Sequence, residues 1–311
     1  MNCFLHIGTE KTGTTTVQDF FYINRKVLGL SGFHFSQTIG QKNHRLLALS
    51  VYDLSRRDDI TKRHGLDSET DLKAYQAKLK EKLRDEIMLA KKTNDTLVFS
   101  SEHIHSRLTK ISEITRLRDL LRELGITQII VIVYLRRPSA IAASLYSTSV
   151  KAGSTRQSPP PPSHSYWNNA CNHQATLENY CQVFGQNFVI PRLFDTKEFP
   201  EGSIVFDILE IMNIPRSSTL RYPSNSNARL SAKSLEVLRF FNKKMPKYIG
   251  GRPNFIRAIL IRLLSVFFRD DKYSMSKELD EQYEKEFEES NEWTRKKYFP
   301  HKSHLFGREN L

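Results

Sequence analysis

The run TQIIVIVYL at residues 127–135 is almost continuously apolar, and it constrains the fold more than any other segment of the chain. Uninterrupted apolar strands are typical of parallel sheets in which helices cover both faces. Shorter apolar segments at residues 3–7, 96–100 and 187–193 are also predicted to be strands. Helical patterns separate these strands along the chain. The alternation predicts an α/β fold, an open parallel sheet with helices on both faces.

The helical segments are recognised by apolar residues that recur every three or four positions. One begins near residue 16, and the charged segment 71–92 and the segment 114–124, which ends at Gly125, follow. Pro138 is expected at the first position of a further helix, where proline is favoured. Toward the C-terminus the chain is predicted to be mainly helical, with helices at residues 203–212, 231–242, 255–268 and 276–289.

The 311 residues are predicted to form a single domain. An α/β core is expected over about residues 1–214, and a mainly helical C-terminal subdomain over about residues 215–311. The Pro-rich segment 154–165 is expected to be a loop or lid within the core rather than a linker between domains.

Composition favours some partners over others. The chain has 47 Lys and Arg against 34 Asp and Glu, a formal net charge of +13. This excess favours anionic partners such as nucleotides, nucleic acid, acidic glycans or anionic membranes, without choosing among them. The cysteines Cys3, Cys171 and Cys181 contain no CxxC pair, so neither a disulfide framework nor a metal site is expected. A reducing, cytoplasmic compartment fits this pattern best.

The apolar stretches are too short to predict a membrane span, which needs about 20 residues. The N-terminal residues lack the basic region of a signal peptide. The segment 255–268 comes closest to a membrane element, but Arg257 and Arg262 interrupt it. Core packing is the favoured interpretation of this segment, and peripheral association with the inner face of a membrane is the alternative.

The segment GTEKTGTTT at residues 8–16 joins the first predicted strand to the first helix. At a helix N-terminus the free N–H groups and the helix dipole favour an anion. Gly13 permits close approach of the backbone to a ligand, and Lys11 adds a positive charge. Hydroxyl donors follow at Thr14, Thr15 and Thr16. This composition predicts an anion-binding loop.

The loop differs from the triphosphate-binding loop GxxxxGK[ST]. Gly8 and Gly13 have the required spacing, but Thr14 stands where the lysine of that motif belongs. The strand at 127–135 ends in Arg136 rather than in a magnesium-binding Asp. The pattern therefore points away from ATP or GTP hydrolysis, and a P-loop-type nucleotide or small-molecule kinase remains an alternative function.

A second anion-binding element is predicted at the end of the same strand. Arg136 can bind phosphate oxygens in a bidentate fork, and Ser144, two turns into the following helix, can add a neutral hydrogen bond. The order of the two elements, strand–KTGTTT–helix and then strand–RRPxxxxxSxY–helix, resembles the PAPS-dependent sulfotransferase family, in particular its bacterial, carbohydrate-sulfating members. PAPS is 3′-phosphoadenosine 5′-phosphosulfate. The resemblance covers residues 2 to about 214, and it is strong at the two motifs and loose elsewhere.

The resemblance implies a P-loop-like fold and roles for single residues. The loop residues Lys11, Thr12, Gly13, Thr14, Thr15 and Thr16 match the family's 5′-phosphosulfate loop. Arg136 and Ser144 match its 3′-phosphate motif, and no metal is expected. Glu10 departs from the family, where proline is common. Because an acid beside an anion is unfavourable, Glu10 is expected to face solvent or to pair with a base.

The implied reaction transfers a sulfuryl group from PAPS to a hydroxyl and releases adenosine 3′,5′-bisphosphate. Lys11 suits stabilisation of the leaving phosphate. The family places its general base after the second strand, where Glu102 is the first choice and His103 the second. If the extended geometry continued, these two side chains would point to opposite faces.

The acceptor is expected to be a glycan or glycolipid, with His44 and Tyr146 as candidate contacts. Nucleic acid is not expected as a partner, since the sequence shows neither a stacking platform nor a basic helix. Besides the kinase, one further alternative is a non-enzymatic protein that binds polyanions through its net charge.

Overall fold

The computed structural model describes residues 1–223, 230–246, 248–249, 252–267 and 273–307. Their contacts divide the chain into two compact units. The first, here called the sheet unit, comprises Met1–Arg136 and His173–Pro223. The second, here called the helical unit, comprises Arg137–Asn172 and the described part of Ser224–Leu311.

Five parallel strands form the central sheet of the sheet unit, in the order β2-β3-β1-β4-β5. A two-stranded antiparallel pair, β6 and β7, belongs to the helical unit. The strands are β1 Asn2–Gly8, β2 Phe33–Phe35, β3 Thr96–Ser100, β4 Gln128–Leu135, β5 Val189–Leu193, β6 Tyr248–Ile249 and β7 Arg252–Pro253.

The helices of the described residues alternate with these strands and dominate the C-terminal part. They are α1 Thr14–Leu30, α2 Arg45–Leu49, α3 Asp59–Arg63, α4 Glu69–Ala90, α5 Glu102–Arg107, α6 Ile111–Glu123, α7 Pro138–Lys151, α8 Ser165–Cys171, α9 His173–Phe184, α10 Ile204–Ile211, α11 Ala232–Asn242, α12 Phe255–Phe267, α13 Lys277–Glu286 and α14 Glu288–Tyr298.

Both faces of the sheet are buried, because side chains alternate along each strand. Phe4 and Ile132 pack with α1 and α10 in one apolar core. Their neighbours Leu5 and Val131 point to the other face and are fully buried as well. The helix α9 packs against β4 and β5. None of its residues belongs to the core that α1 and α10 form with Phe4 and Ile132. The predicted open parallel sheet with helices on both faces is therefore confirmed.

The helical unit has its own apolar core, which draws on α7, α8, α11, α12 and α13. Ile141, Leu235 and Tyr283 are among its most buried side chains. The mainly helical character predicted for the C-terminal part is confirmed. Within the described ranges, no helix combines the length and apolar content that a membrane crossing requires.

Local signals located several element ends correctly. Pro138 occupies the first turn of α7, and Gly125 follows α6 with a positive φ of 80°, as the sequence predicts. The predicted helix 255–268 is observed as Phe255–Phe267, and residue 268 lies outside the described residues. The predicted helix 276–289 is wrong in one respect, because Phe287 separates two helices there.

Candidate functional site

The loop 8–16, Glu102 and Arg136 follow β1, β3 and β4, which are three adjacent strands. From β1 the sheet continues to β3 and β2 on one side and to β4 and β5 on the other, so the strand order reverses at β1. In open α/β sheets, ligands bind outside the carboxyl ends of the strands at such a reversal. The fold thus brings these segments to the edge where a ligand is expected.

The loop between β1 and α1 is held against the end of β4. The backbone N–H and the hydroxyl of Thr9 both donate to the carbonyl oxygen of Tyr134, each at 3.1 Å. The Thr12 hydroxyl donates to the Thr9 carbonyl at 2.5 Å. Lys11 adopts a left-handed φ of 66°, which is uncommon for a residue with a side chain. The loop conformation is therefore set by tertiary contacts and not by local preference.

Gly13 ends this loop in a conformation that suits only glycine. Its φ is 72°, and a Cβ placed on it would lie 2.9 Å from the Phe194 ring and 3.1 Å from the side chain of Ile204. Contacts under 3.0 Å are sterically prohibited for a Cβ. The glycine therefore lets the backbone pass closely over the side chains beneath it.

The N-terminus of α1 has no side-chain cap and no acidic residue in its first turn. The N–H groups of Thr16 and Val17 bond to the Gly13 carbonyl. Helix geometry leaves the N–H groups of Thr14 and Thr15 without an intrahelical partner. The Thr14 hydroxyl is also buried, since this residue is 6% exposed, and it has no hydrogen-bond partner among the described residues. The helix start thus directs donors toward a group that the protein itself does not supply.

Arg136 brings a positive charge to this loop. Its Nη1 donates to the Lys11 carbonyl oxygen at 2.7 Å, and its guanidinium carbon lies 5.4 Å from the centre of the Phe194 ring. Its own carbonyl accepts a hydrogen bond from His173 Nε2 at 2.8 Å. No carboxylate of the described residues pairs with Arg136. A half-buried guanidinium without an acidic partner is suited to bind an anionic ligand.

The next residue has a structural role instead. Within the helical unit, Arg137 pairs with Asp280 at 2.9 Å and with Glu284 at 2.8 Å. Both contacts hold the start of α7 to α13. The two arginines of the RRP motif therefore differ in function, although the sequence presents them side by side.

Glu102 opens α5 directly after β3. The strand ends at Ser100, and the Ser101 hydroxyl accepts a hydrogen bond from the His103 N–H at 3.2 Å, which caps the helix. The expectation that extended geometry continues through Glu102 and His103 is therefore wrong. The two residues occupy one helical turn, and His103 Nε2 lies 3.9 Å from Glu102 Oε1.

Two amides hold the Glu102 carboxylate. Asn43 Nδ2 donates to Oε1 at 2.9 Å, and Gln18 Nε2 donates to Oε2 at 3.1 Å. Asn43 is itself held, because its Oδ1 accepts a hydrogen bond from the Ser101 hydroxyl at 2.7 Å. A Cβ placed on Gly8 would lie 3.2 Å from the Cα and Cβ of Glu102, so the carboxylate stands beside the start of the loop.

Gln18 and Asn43 were not predicted as site residues. The available signal for Gln18 was its position on the apolar side of α1, next to Val17 and Phe21, where a polar side chain needs a buried partner. Its exposed fraction is 4%. Its partners come from a different strand and helix, so the sequence pattern could not identify them.

His44 is fully buried, and both of its ring nitrogens are engaged. Nδ1 accepts from the Ser100 N–H at 2.9 Å, so Nε2 carries the proton and donates to the Ser36 carbonyl at 2.8 Å. Burial lowers the pKa of His44 to about 4, which keeps the ring neutral. Contact with an acceptor hydroxyl would require one of these hydrogen bonds to break.

Ser144 and Tyr146 lie on α7 in the helical unit, and both are buried. The Tyr146 hydroxyl donates to the Gln157 carbonyl at 2.8 Å and accepts from Arg239 at 2.7 Å, and its ring packs against Tyr273. These contacts tie the Pro-rich loop 154–165 to the helices. The role predicted for Ser144 at a phosphate and that predicted for Tyr146 at a sugar stay predictions.

Glu10 is 8% exposed, so the alternative in which it faces solvent is wrong. Glu10 has at least one interaction partner, so its carboxylate is not free. Among the residues that the structure describes, no group of three or more His, Cys, Asp or Glu side chains is arranged to hold a metal ion.

The similarity of the chain to known proteins is limited. No model of a protein family matches it. An uncharacterized protein of Archaeoglobus fulgidus is 28% identical over 135 residues, which are 43% of this chain and 35% of that protein. The match thus spans about a third of the length of this curated relative.

Two solved structures are similar over most of the chain. The similarity to a sulfotransferase from Alicyclobacillus acidocaldarius covers 96% of this chain and 95% of that protein, with a TM-score of 0.43 and 14% identity. The similarity to the sulfotransferase domain from the curacin biosynthetic pathway covers 92% of this chain and 97% of that domain, with a TM-score of 0.40 and 11% identity. At these TM-scores and identities, the likeness carries no conclusion about activity.

Proposed function

We propose that the chain is a PAPS-dependent sulfotransferase that moves a sulfuryl group to a hydroxyl of a carbohydrate or glycolipid. One observation carries the proposal: an uncapped helix N-terminus with a buried, unpartnered Thr14 hydroxyl lies in the same loop that Arg136 contacts. This arrangement supplies donors and a positive charge that no carboxylate of the described residues neutralises. The resemblance of the two motifs to the sulfotransferase family selects PAPS among the possible anions.

In the proposed complex, residues 11–16 hold the 5′-phosphosulfate, and Arg136 and Ser144 hold the 3′-phosphate. The guanidinium of Arg136 has five N–H donors, and the contact with the Lys11 carbonyl uses one of them. The others remain for phosphate oxygens. Lys11 and the N–H groups of Thr14 and Thr15 stabilise the negative charge that develops on the leaving phosphate.

The chemical step is an in-line displacement at sulfur. A bond forms between the acceptor oxygen and sulfur while the bond between sulfur and the bridging phosphate oxygen breaks. The acceptor proton passes to Glu102, and adenosine 3′,5′-bisphosphate leaves. Each carboxylate oxygen can accept more than one hydrogen bond, so the contacts with Gln18 and Asn43 leave room for a hydroxyl. We assign these two amides a positioning role, and His103 stays the alternative base.

Ligand binding tests the nucleotide pocket. Thermal unfolding is measured with adenosine 3′,5′-bisphosphate, with ATP plus magnesium, and with heparin. The bisphosphate should stabilise the protein most, by about 2.7 kcal/mol when its concentration is 100 times Kd. Arg136→Ala should remove most of this stabilisation. Arg122→Ala on α6 removes the same charge elsewhere and should not.

The result of this experiment also decides between the alternatives. Stabilisation mainly by ATP with magnesium would favour a kinase, and stabilisation only by heparin would favour a polyanion-binding protein. Either result would overturn the proposed function.

Turnover tests the catalytic assignments. Lys11→Ala should abolish transfer, and Glu102→Gln should lower it by about 100-fold while bisphosphate binding is retained. Sulfation is followed by the mass increase of members of a glycan and glycolipid panel. Lys92→Ala and Glu69→Gln are matched controls, because both positions are exposed and lie on or beside α4. If His103→Ala lowers turnover and Glu102→Gln does not, His103 is the base.

A further inference from the structure

The helix α12 of the helical unit is apolar on both of its sides. Its inward side chains, Leu260, Ile261 and Leu264, pack against the core of this unit. Its outward side is also apolar, where a surface helix normally carries polar residues. The exposed fractions there are 70% for Phe255, 52% for Ile256, 53% for Ile259 and 47% for Leu263.

The first charged residue of α12, Arg257, points into the helical unit. Arg257 is 4% exposed, and its guanidinium donates to the carbonyl oxygens of Val150 at 3.1 Å and Lys151 at 2.8 Å. It also bonds to Asn242 Oδ1. These carbonyls end α7, where the helix dipole favours a cation. Burial lowers the pKa of Arg257 from its usual high value.

This anchor fixes the orientation of α12. Rotation of the helix to bury its outward side would break the hydrogen bonds of Arg257 and leave acceptors unsatisfied, which is costly in a buried site. It would also expose Leu264. The outward apolar residues are therefore held at the surface by the fold, and a contiguous apolar surface of this kind marks an interaction site.

The charge around this surface identifies its partner. Arg262 is exposed on α12. The exposed Phe240 lies on α11, which packs on α12, and Nζ of Lys244, just after the end of α11, lies 5.0 Å from its ring centre. The sequence contains no Asp or Glu between Glu236 and Asp270. An apolar face with exposed basic side chains beside it is complementary to an anionic lipid surface.

Other occupants fit less well. Two copies of this face would bring the basic groups of both together, and like charges at an interface are unfavourable. The core of a protein–protein interface is depleted of charged residues, whereas this helix presents the exposed Arg262 beside its apolar side chains. The helix Phe255–Phe267 is also shorter than the roughly 20 residues of a membrane span. On a membrane, this helix can therefore only lie parallel to the membrane surface.

We propose that the outward face of α12, together with Phe240, binds an anionic lipid bilayer. Phe255, Ile256, Ile259 and Leu263 insert at the boundary between headgroups and acyl chains, and Arg262 and Lys244 contact lipid phosphates. The proposal concerns a surface of the helical unit and does not depend on sulfuryl transfer. Its test therefore needs no nucleotide and no turnover.

Sedimentation of the full chain with vesicles tests this surface. Vesicles of phosphatidylcholine alone are compared with an equal mixture of phosphatidylcholine and phosphatidylglycerol. The wild-type chain should bind the mixed vesicles at least about tenfold more tightly, and added salt should weaken binding. The double variant Ile259→Asn/Leu263→Asn should lose about tenfold or more. Leu89→Asn on α4, where Leu89 is 67% exposed, is the matched control and should bind as the wild type does.

Arg262→Glu gives a second variant that keeps the four outward apolar side chains. It should weaken binding to the mixed vesicles by about tenfold. Equal binding to both kinds of vesicle, or unchanged binding of the double variant and of Arg262→Glu, would overturn the proposal. So would light scattering that shows a dimer for the wild type and a monomer for the double variant, because the face would then join two copies.

Discussion

The N-termini of α1 and α4, both in the sheet unit, are built in opposite ways. At α4 the Ser68 hydroxyl accepts from the Asp71 N–H at 3.0 Å, and the Asp71 carboxylate accepts from the Ser68 N–H at 3.1 Å. Acidic residues also occupy its first turn. At α1 no side chain caps the helix and its first turn holds no acid. The buried Thr14 hydroxyl there has no hydrogen-bond partner among the residues that the structure describes.

The difference shows where the fold gives up stability. A good N-cap is worth about 1 kcal/mol, and α4 obtains this contribution from its own side chains. The helix α1 forgoes it and keeps its donors available at the carboxyl edge of the sheet. Such a defect is expected where a bound ligand completes the structure. A change at the start of α1 should therefore alter ligand binding, whereas a change at the start of α4 should alter stability alone.

The largest effect is expected for Gly13→Ala. The new methyl group would meet Phe194 at 2.9 Å in a residue with positive φ, so unfolding free energy should fall by about 2–4 kcal/mol. Bisphosphate binding should be lost because the loop must move. Gly65→Ala is the control, since its φ is 63° but no atom lies within 4 Å of the added group. Urea unfolding that gives equal losses for both variants would contradict the role of the close approach.

An exchange of charge between the two helix ends tests the comparison itself. Thr15→Asp places an acid in the first turn of α1 at an exposed position, which should stabilise the unliganded protein by about 0.5 kcal/mol. The same carboxylate should repel the nucleotide and weaken binding more than tenfold. Asp71→Ala at α4 removes an acid from the helix start and should lower the unfolding free energy by about 1 kcal/mol. Nucleotide binding should be unchanged. Titration calorimetry measures the nucleotide affinity of each variant, and urea unfolding measures its stability. An unchanged affinity in Thr15→Asp would show that no anion binds at α1.

The last prediction concerns the response of both regions to acid and is measured as a slope against pH. Burial lowers the pKa of His44 to about 4 and that of His6 to about 3, both below the usual value of about 6.5. Between pH 6.5 and about 4 the unfolded chain therefore binds more protons than the folded one. Stability should be complete above pH 6.5 and fall as the pH drops, by up to about 1.4 kcal/mol per pH unit for each histidine.

The contribution of the α4 cap to stability should be lost only at a lower pH than that of the histidines. Hydrogen bonds from Ser68 lower the pKa of Asp71, so this contribution is present above the usual Asp pKa and is lost as the pH falls below it. Urea unfolding over this range measures the slope. His44→Gln should reduce the slope between pH 6.5 and 4, and His301→Gln, at an exposed position, should not. A slope that His44→Gln leaves unchanged would contradict the burial argument.

Part of this architecture follows from local patterns. The strands that flank the site, the start of α7 at Pro138 and the end of α6 at Gly125 were predictable because apolar alternation, proline and glycine act over a few residues. The strand Phe33–Phe35 was not predicted, because three residues are too few to show an alternation. The strand that precedes Glu102 was predicted with its observed bounds, Thr96–Ser100, but the helix that begins at Glu102 was not, since the Ser101 cap depends on how the chain turns there.

The sequence by itself determined the open parallel sheet and the glycine-threonine loop at its edge, because both depend on residue types at short spacing. Only the tertiary structure decided which polar groups are satisfied. It pairs Glu102 with Gln18 and Asn43, directs Arg136 to the Lys11 carbonyl, and closes both nitrogens of His44 inside the core. These contacts join residues far apart in the chain, and their geometry is set by the register of β3, β1 and β4, which no local pattern encodes.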